Sequence, residues 1–154
     1  MVEYGIKQTF GDNVTDTSTT LLNELNAMRF DGENIYRYVK FTDTTVATNI
    51  VSWVANGTPG TNDFTVVVGS ATVTAPAGVA VSGHAADEYG WIQIAGVASC
   101  IGDGSIVELI GVISNGDGTA ESWADGLEEQ VMGIALEDDI AVTYAVQVRL
   151  KGLV

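Results

Sequence analysis

The sequence has little cysteine, proline or basic charge, and each shortage excludes a class of protein. Cys100 is the only cysteine, so no disulfide can form within one chain. The chain has 2 Pro against 18 Gly, which points to strands joined by tight glycine turns. Six Lys and Arg oppose 20 Asp and Glu, and none of the six lies between Lys40 and Arg149. A chain of net charge -14 repels phosphate backbones and anionic lipids, so we expect neither nucleic acid nor membrane as a partner.

Long hydrophobic runs are also missing. The run from Ile92 to Ile101 is interrupted by Gln93 and Ser99, and it is far shorter than the roughly 20 residues of a membrane helix. The N-terminus lacks the basic and apolar regions of a secretory signal. We therefore expect a soluble protein made in a cytoplasm, with Cys100 as a buried, inert thiol.

What the sequence does contain indicates an all-β fold. At 154 residues and 46% hydrophobic composition, the chain is long enough to bury one core. Val, Ile and Thr are frequent, and turn residues separate short apolar runs. We predict a single small β-sandwich or barrel of about nine short strands. Residues 1–20 are polar apart from a few apolar anchors and are predicted to be an extended N-terminal arm, with residues 21–154 forming the β domain.

Several runs alternate with the period of a strand. The run from Ile35 to Phe41 predicts a half-buried antiparallel strand, and the run from Tyr144 to Lys151 predicts a closing strand with Val146, Val148 and Leu150 inward. Further strands are predicted at 46–54, 64–68, 71–74, 79–81, 90–99, 106–113 and 131–136, with breaks at 56–60, 69–70 and 75–78. Two segments have weaker helical patterns, Leu21–Met28 and Thr119–Gln130.

Candidate catalytic residues are few. His84 is the sole histidine, and Asp87 or Glu88 could serve as its partner. The segment has no nucleophile elbow, so an exposed loop histidine is the favoured interpretation. Asp138 and Asp139 are adjacent, and side chains of adjacent strand residues point to opposite faces, so we expect a solvated turn here rather than an acid/base pair.

Two binding hypotheses compete with plain structural ones. A group of carboxylates could hold calcium: Asp103, Asp117, Asp125, Glu128 and Glu129. However, no Asp-x-Asp-x-Asp-Gly loop is present, so ordinary turns are the favoured interpretation. Five aromatic residues could form a surface on which a sugar ring stacks: Trp53, Trp91, Trp123, Tyr36 and Tyr38. A place in the hydrophobic core is the favoured interpretation. The sequence thus predicts no catalytic residue, no cofactor, no metal site and no small-molecule substrate.

Four segments occur in an order that resembles a known family. They are Tyr-Arg-Tyr-Val-Lys-Phe at 36–41, Gly-Trp-Ile-Gln-Ile-Ala-Gly-Val-Ala at 90–98, Val-Met-Gly-Ile-Ala-Leu-Glu-Asp at 131–138 and Val-Arg-Leu at 148–150. Together they resemble the capsid decoration proteins of tailed bacteriophages, which cement the head. The match covers roughly residues 30–151 in order.

The resemblance implies a structural role. Such proteins are not enzymes, and they bind the outer face of the assembled shell, commonly as trimers. It therefore implies two partners. One is the major capsid protein, and the other is further copies of this chain, with which it forms a homotrimer. It also implies a place on the virion exterior after assembly in the host cytoplasm. In the arm, Val2, Tyr4, Ile6 and Phe10 are the candidates for contact with the shell. The alternative is a phage tail or host-recognition module that binds surface carbohydrate.

Overall fold

The computed structural model describes residues 10–54, 65–68, 75–139, 141 and 145–152. These ranges contain ten strands: β1 Met28–Asp31, β2 Asn34–Phe41, β3 Ile50–Trp53, β4 Thr65–Val68, β5 Pro76–Ala80, β6 Tyr89–Ile101, β7 Gly111–Asn115, β8 Thr119–Ser122, β9 Gly133–Ala135 and β10 Ala145–Lys151. One short 3-10 turn covers Glu128–Gln130. None of the helical structure in these ranges is long and apolar enough to cross a membrane. The predicted all-β fold is confirmed.

Five strands close into a small barrel. Their cyclic order is β2, β4, β3, β5 and β6, and the ring closes because β6 pairs again with β2. Only the β2–β4 pair is parallel, and the other four contacts are antiparallel. Apolar side chains pack together as the barrel core; they are Val39, Phe41, Val51, Val66, Ala77, Ala80, Ile92 and Ile94.

The second half of β6 leaves the barrel and starts another sheet. β6 is 13 residues long, and its residues from Ala95 to Ile101 pair with β10. The order then continues through β9, β7 and β8. At Gly96 the backbone has φ +90, and an added Cβ would run into Asn34. Glycine is required here because other residues rarely adopt this conformation and none would fit beside Asn34.

The second core lies between this sheet and the wall of the barrel. Its members include Ala98, Val112, Met132 and Val148 from the sheet together with Ile50 and Val79 from the barrel strands. Along β10, Val146, Val148 and Leu150 are buried while Ala145, Arg149 and Lys151 are exposed. The predicted alternation of the closing strand is therefore confirmed.

A third apolar cluster covers the barrel on its outside. Tyr36, Tyr38 and Trp91 are buried there beneath Phe10, Val14 and Leu25 of the N-terminal segment. As a result, β2 is buried on both faces, with only Lys40 and its first two residues partly exposed. The prediction of a half-buried strand is wrong because the alternation of Ile35–Phe41 separates two covered faces, not a covered face from water.

The first predicted helix is not formed. Residues 21–27 are turns and irregular chain before β1 begins at Met28. Asn26 has φ 69, and its backbone N–H donates to Tyr38 O while Tyr38 N–H donates to Ala27 O. The segment fails as a helix because it is too short to be stable alone and its main chain bonds to β2 instead.

Other predicted boundaries need correction. Residues 119–122 are strand β8 and only Glu128–Gln130 is helical, so the predicted helix over 119–130 is wrong. Strand β7 begins at Gly111 rather than 106, because residues 107–110 form a turn with Leu109 at φ 65. The predicted break at 75–78 is instead the start of β5, where Pro76 is the first strand residue, a place where proline is tolerated. The predicted turns at 56–60 and 69–70, and the strand at 71–74, lie outside the described residues.

Candidate interaction surfaces

The N-terminal segment is anchored on the outside of the barrel by aromatic packing. The ring of Phe10 meets Trp91 edge-on with 5.0 Å between centroids. Trp91 also contacts Tyr38 edge-on at 5.1 Å, and Tyr38 stacks on Tyr89 at 6.5 Å. The guanidinium of Arg29 lies 5.8 Å from the centroid of Phe10. Aromatic pairs of this kind stabilise a contact beyond the area they bury.

Asp12 ties the same segment to the barrel through hydrogen bonds. Its Oδ2 accepts from Trp91 Nε1 at 2.8 Å and from Asn23 Nδ2 at 2.9 Å. Its backbone carbonyl accepts from Arg29 at 2.8 Å. The indole N–H of a fully buried tryptophan needs a partner, and Asp12 supplies it across 79 positions of sequence. Sequence reasoning missed Asp12, and no local signal distinguishes it from the acids around it.

A short β-bridge completes the anchor. Ser18 N–H donates to Tyr89 O at 3.1 Å, and Tyr89 N–H donates to Ser18 O at 2.8 Å. We call residues 10–20 the N-terminal anchor. Of the four predicted shell-contact residues, Phe10 belongs to this anchor, while Val2, Tyr4 and Ile6 lie outside the described residues. The division into an arm over 1–20 and a domain over 21–154 stays a prediction, as does shell contact by these residues.

A second surface lies on the opposite sheet. Three large apolar residues in this region are exposed: Leu109 is 74% exposed, Val107 56% and Ile134 49%. The turn at 107–110 lies against the end of β9, because Leu109 N–H donates to Ala135 O at 2.9 Å. Arg149 on β10 stands directly opposite Ile134. We call Val107, Leu109, Ile134, Arg149 and Lys151 the β9–β10 face. The sequence did not predict this face, because Leu109 was expected within a strand over 106–113, whereas it lies in a turn before β7.

The remaining described cations are engaged elsewhere. Lys40 Nζ lies 2.7 Å from Asp87 Oδ1, and this bond raises the pKa of Lys40. Arg37 is buried, its guanidinium lies 5.5 Å from the Trp53 ring centroid, and burial lowers its pKa. Arg29 is partly buried and bonds the Asp12 carbonyl, so the exposed positive charge of the described residues is concentrated on β10.

His84 is not an exposed loop histidine, and that prediction is wrong. The residue is 3% exposed, and its ring stacks on Phe41 with 3.8 Å between centroids. Gly90 makes the space, because a Cβ there would enter the ring. Nε2 lies 3.3 Å from Ser82 Oγ, whereas Nδ1 is buried without a hydrogen-bond partner. Burial lowers the pKa of His84 to about 4, and Glu88 opposes this only in part. The ring acts as a neutral part of the core.

Two of the acidic residues considered as calcium ligands, Asp103 and Asp117, form hydrogen bonds within turns. Asp103 accepts from Ser105 N–H at 2.9 Å, and Asp117 accepts from Thr119 N–H at 3.0 Å, which is ordinary turn chemistry. The bonds from Thr119 lower the pKa of Asp117. Across the described ranges, no three His, Cys, Asp or Glu residues come together as a metal site.

Asp139 contradicts the expected solvated turn. It is 8% exposed, and its carboxylate accepts from Gly104 N–H at 2.6 Å and from Ala141 N–H at 3.2 Å. Gly102 makes room for it, since an added Cβ would meet the carboxylate. Asp138 is exposed as predicted and accepts from Glu108 N–H at 2.7 Å. The two carboxylates have different partners, so they do not act as a pair.

The aromatic residues and the cysteine mostly follow the core prediction. Trp91, Tyr38 and Tyr36 are buried, and Trp53 and Trp123 are half-buried. A buried Trp91 whose N–H already bonds Asp12 offers no open face for a sugar ring to stack on. Cys100 is fully buried, as predicted, and burial raises its pKa to about 12; its inertness stays a prediction.

One comparison gives a structural neighbour. Neither protein-family models nor curated protein sequences match this chain. Among solved structures, the chain is similar to the N base of the head fiber protein gp8.5 of bacteriophage phi29, with a TM-score of 0.57 and 15% identity. The similarity covers 79% of this chain and 98% of the other. The two proteins therefore share a fold, since likeness at this identity speaks for architecture alone.

Proposed function

We propose that this chain is a structural protein of a bacteriophage head that binds the outer surface of the capsid and stabilises the shell. The observation that carries the proposal is the shared fold, because nearly the whole of a head fiber base superposes on this chain. The order of the four segments at 36–41, 90–98, 131–138 and 148–150 resembles another class of proteins on phage heads. The proposal includes no enzymatic activity, the major capsid protein as partner, self-association as a homotrimer and a position on the virion exterior.

The geometry of the N-terminal anchor supports this role. Phe10 and Asp12 are fixed on the barrel by Trp91, so the chain before Phe10 starts from a rigid base. Val2, Tyr4 and Ile6 alternate along that preceding stretch, which is the pattern of a segment that adds a strand to another protein. A base that is ordered before binding lowers the entropy lost when the arm binds.

Charge supports a head-surface role as well. A net charge of -14 keeps copies apart before assembly and keeps the exterior from holding DNA. A shell offers many equivalent sites, so a modest affinity at each site suffices once copies touch one another.

Heads made with and without the chain provide the test. Mass spectrometry of purified virions should find the chain at a fixed ratio to the capsid protein. Heads lacking it should release DNA at lower temperature, read by a DNA-binding dye during heating, and added purified chain should restore the release temperature. A chain absent from virions would refute the head role, and unchanged DNA release would refute only the stabilising role.

The arm is tested by removing residues 1–9 and keeping the anchor. Because residues 10–20 remain packed on Trp91, the shortened chain should unfold at the same denaturant concentration while its occupancy on heads falls. The control exchanges two of the apolar residues, Tyr4→Ile with Ile6→Tyr, and leaves Val2 unchanged. This variant keeps the apolar alternation of the arm. Unchanged occupancy after the deletion would rule out the arm as a shell contact.

A further inference from the structure

The β9–β10 face carries features that a permanently solvated surface lacks. Leu109 is the most exposed of the large apolar residues in the described ranges, and it also has φ 65. A non-glycine residue in this region is strained, and the strain holds an apolar side chain in water. Val107 in the same turn and Ile134 on the adjoining β9 are exposed as well. Large apolar residues exposed together in one region of a protein often mark a contact with another protein.

The charges beside this apolar centre differ in sign from one side to the other. Arg149 and Lys151 lie on β10, on one side of Ile134. Glu108 is next to Leu109 on the other side, and Asp138 is held beside it by its hydrogen bond to Glu108 N–H at 2.7 Å. The face and its border therefore carry both signs of charge, with Arg149 and Lys151 on the face and Glu33, Glu108 and Asp138 around it.

We propose that the β9–β10 face binds a second copy of this chain. A neighbouring copy that sets its Glu108 side against the Arg149 side of the first would pair both signs and cover the apolar centre. Among the described residues of one copy, Arg149 has an ion pair with Glu33 at 3.9 Å in which both groups are exposed, so it gives up little by turning to a neighbour. Because both copies use the same face, this contact joins copies in pairs and is separate from the three-fold contact of the proposed homotrimer.

Leu109→Gly is the most direct variant, because glycine removes the apolar side chain and relieves the positive φ at once. We expect it to unfold at an equal or higher denaturant concentration while self-association weakens about 10-fold or more, as for a residue near an interface centre. Leu22→Gly is the matched control, since Leu22 is 55% exposed and lies on the segment over the barrel. It should leave self-association unchanged. If Leu109→Gly does not fold, Ile134→Thr replaces it.

The assay is sedimentation equilibrium on the purified chain over roughly 1 µM to 1 mM, which covers weak interfaces. Salt of about 0.15 M screens the net repulsion beyond about 8 Å. Arg149→Glu and Glu108→Arg should each weaken association, and the double variant should recover it. A monomer at every concentration, an oligomer untouched by Leu109→Gly, or a double variant without recovery would each overturn the proposal. A monomer whose head binding is lost in Leu109→Gly would assign the face to a capsid protein and leave the head role standing.

Discussion

His84 should make the fold sensitive to mild acid. Its ring is neutral, stacked on Phe41 and closed in by Gly90, with Nδ1 unpartnered. A proton on the ring would put a charge into this apolar site. The pKa of His84 is lowered by burial to about 4 in the folded chain and returns to its ordinary value of 6.5 on unfolding. The unfolded state therefore takes up the proton first, and stability that is present above pH 6.5 is lost as the pH falls toward 4.

The size of the effect follows from the two pKa values. At about 1.36 kcal/mol per unit of pKa difference, the free energy of unfolding should fall by about 2 kcal/mol between pH 7 and pH 5 and by about 3 kcal/mol once His84 is protonated in both states. Loss of this amount is a large fraction of the stability of a small domain. Because His84 is the sole histidine, no other imidazole contributes over this range.

Urea unfolding followed by tryptophan fluorescence at pH 7 and pH 5 measures the loss. His84→Phe keeps an aromatic ring against Phe41 and His84→Gln keeps a polar group, and neither titrates. Both variants should lose about 2 kcal/mol less than the natural chain between the two pH values, whatever their stability at pH 7. Equal losses in all three chains would show that titration of His84 does not cause the loss. An imidazole pKa near 6.5, read by NMR from the single histidine signal, would refute the reasoning independently.

Three further outcomes are expected. Asp12→Ala should lower the free energy of unfolding by about 2 kcal/mol, because it leaves the Trp91 indole N–H unpaired. Asp16→Ala, at an exposed turn, is the control and should lower it less. Equal losses in urea titrations would contradict a stabilising role of Asp12 in the N-terminal anchor. Gly96→Ala should cost about 2 kcal/mol or more, since φ +90 is strained for alanine and its Cβ would collide with Asn34; a neutral result on the same measure would contradict the close approach. Cys100 should resist a thiol reagent at pH 8 in the native chain and react once per chain in denaturant, because it is buried and its pKa is raised to about 12; rapid native reaction would show that the second core opens.

The strands were predictable where burial on one side follows a local pattern. Along β10, every second residue is buried, as period-2 alternation requires. In β2 the same alternation gave the strand but not its surroundings, because the cover over Tyr36 and Tyr38 comes from the distant N-terminal anchor. Alternation reports which residues share a face and says nothing about what lies on the other face.

Several of the errors share one physical cause, which is contact with residues outside the local segment. His84 sits in a polar loop, and only Gly90 and Phe41 across the fold make a buried place for it. Residues 21–27 have helical spacing, but bonds from Asn26 and Ala27 to Tyr38 hold them in another form. Asp12 has no local mark that distinguishes it from other acids, although it bonds the buried Trp91.

The long strand β6 places both candidate surfaces on one element. Its first half carries Trp91, on which the N-terminal anchor is built, and its second half carries Val97, which stands opposite Arg149 of the β9–β10 face. Val97 follows Trp91 by six positions, which is about 20 Å along an extended strand. An arm bound to a shell and a neighbour bound at the β9–β10 face would therefore act on the same strand. Shell binding by one copy would then hold the face of the next copy in place, which is the geometric condition for many weak contacts to stabilise a shell together.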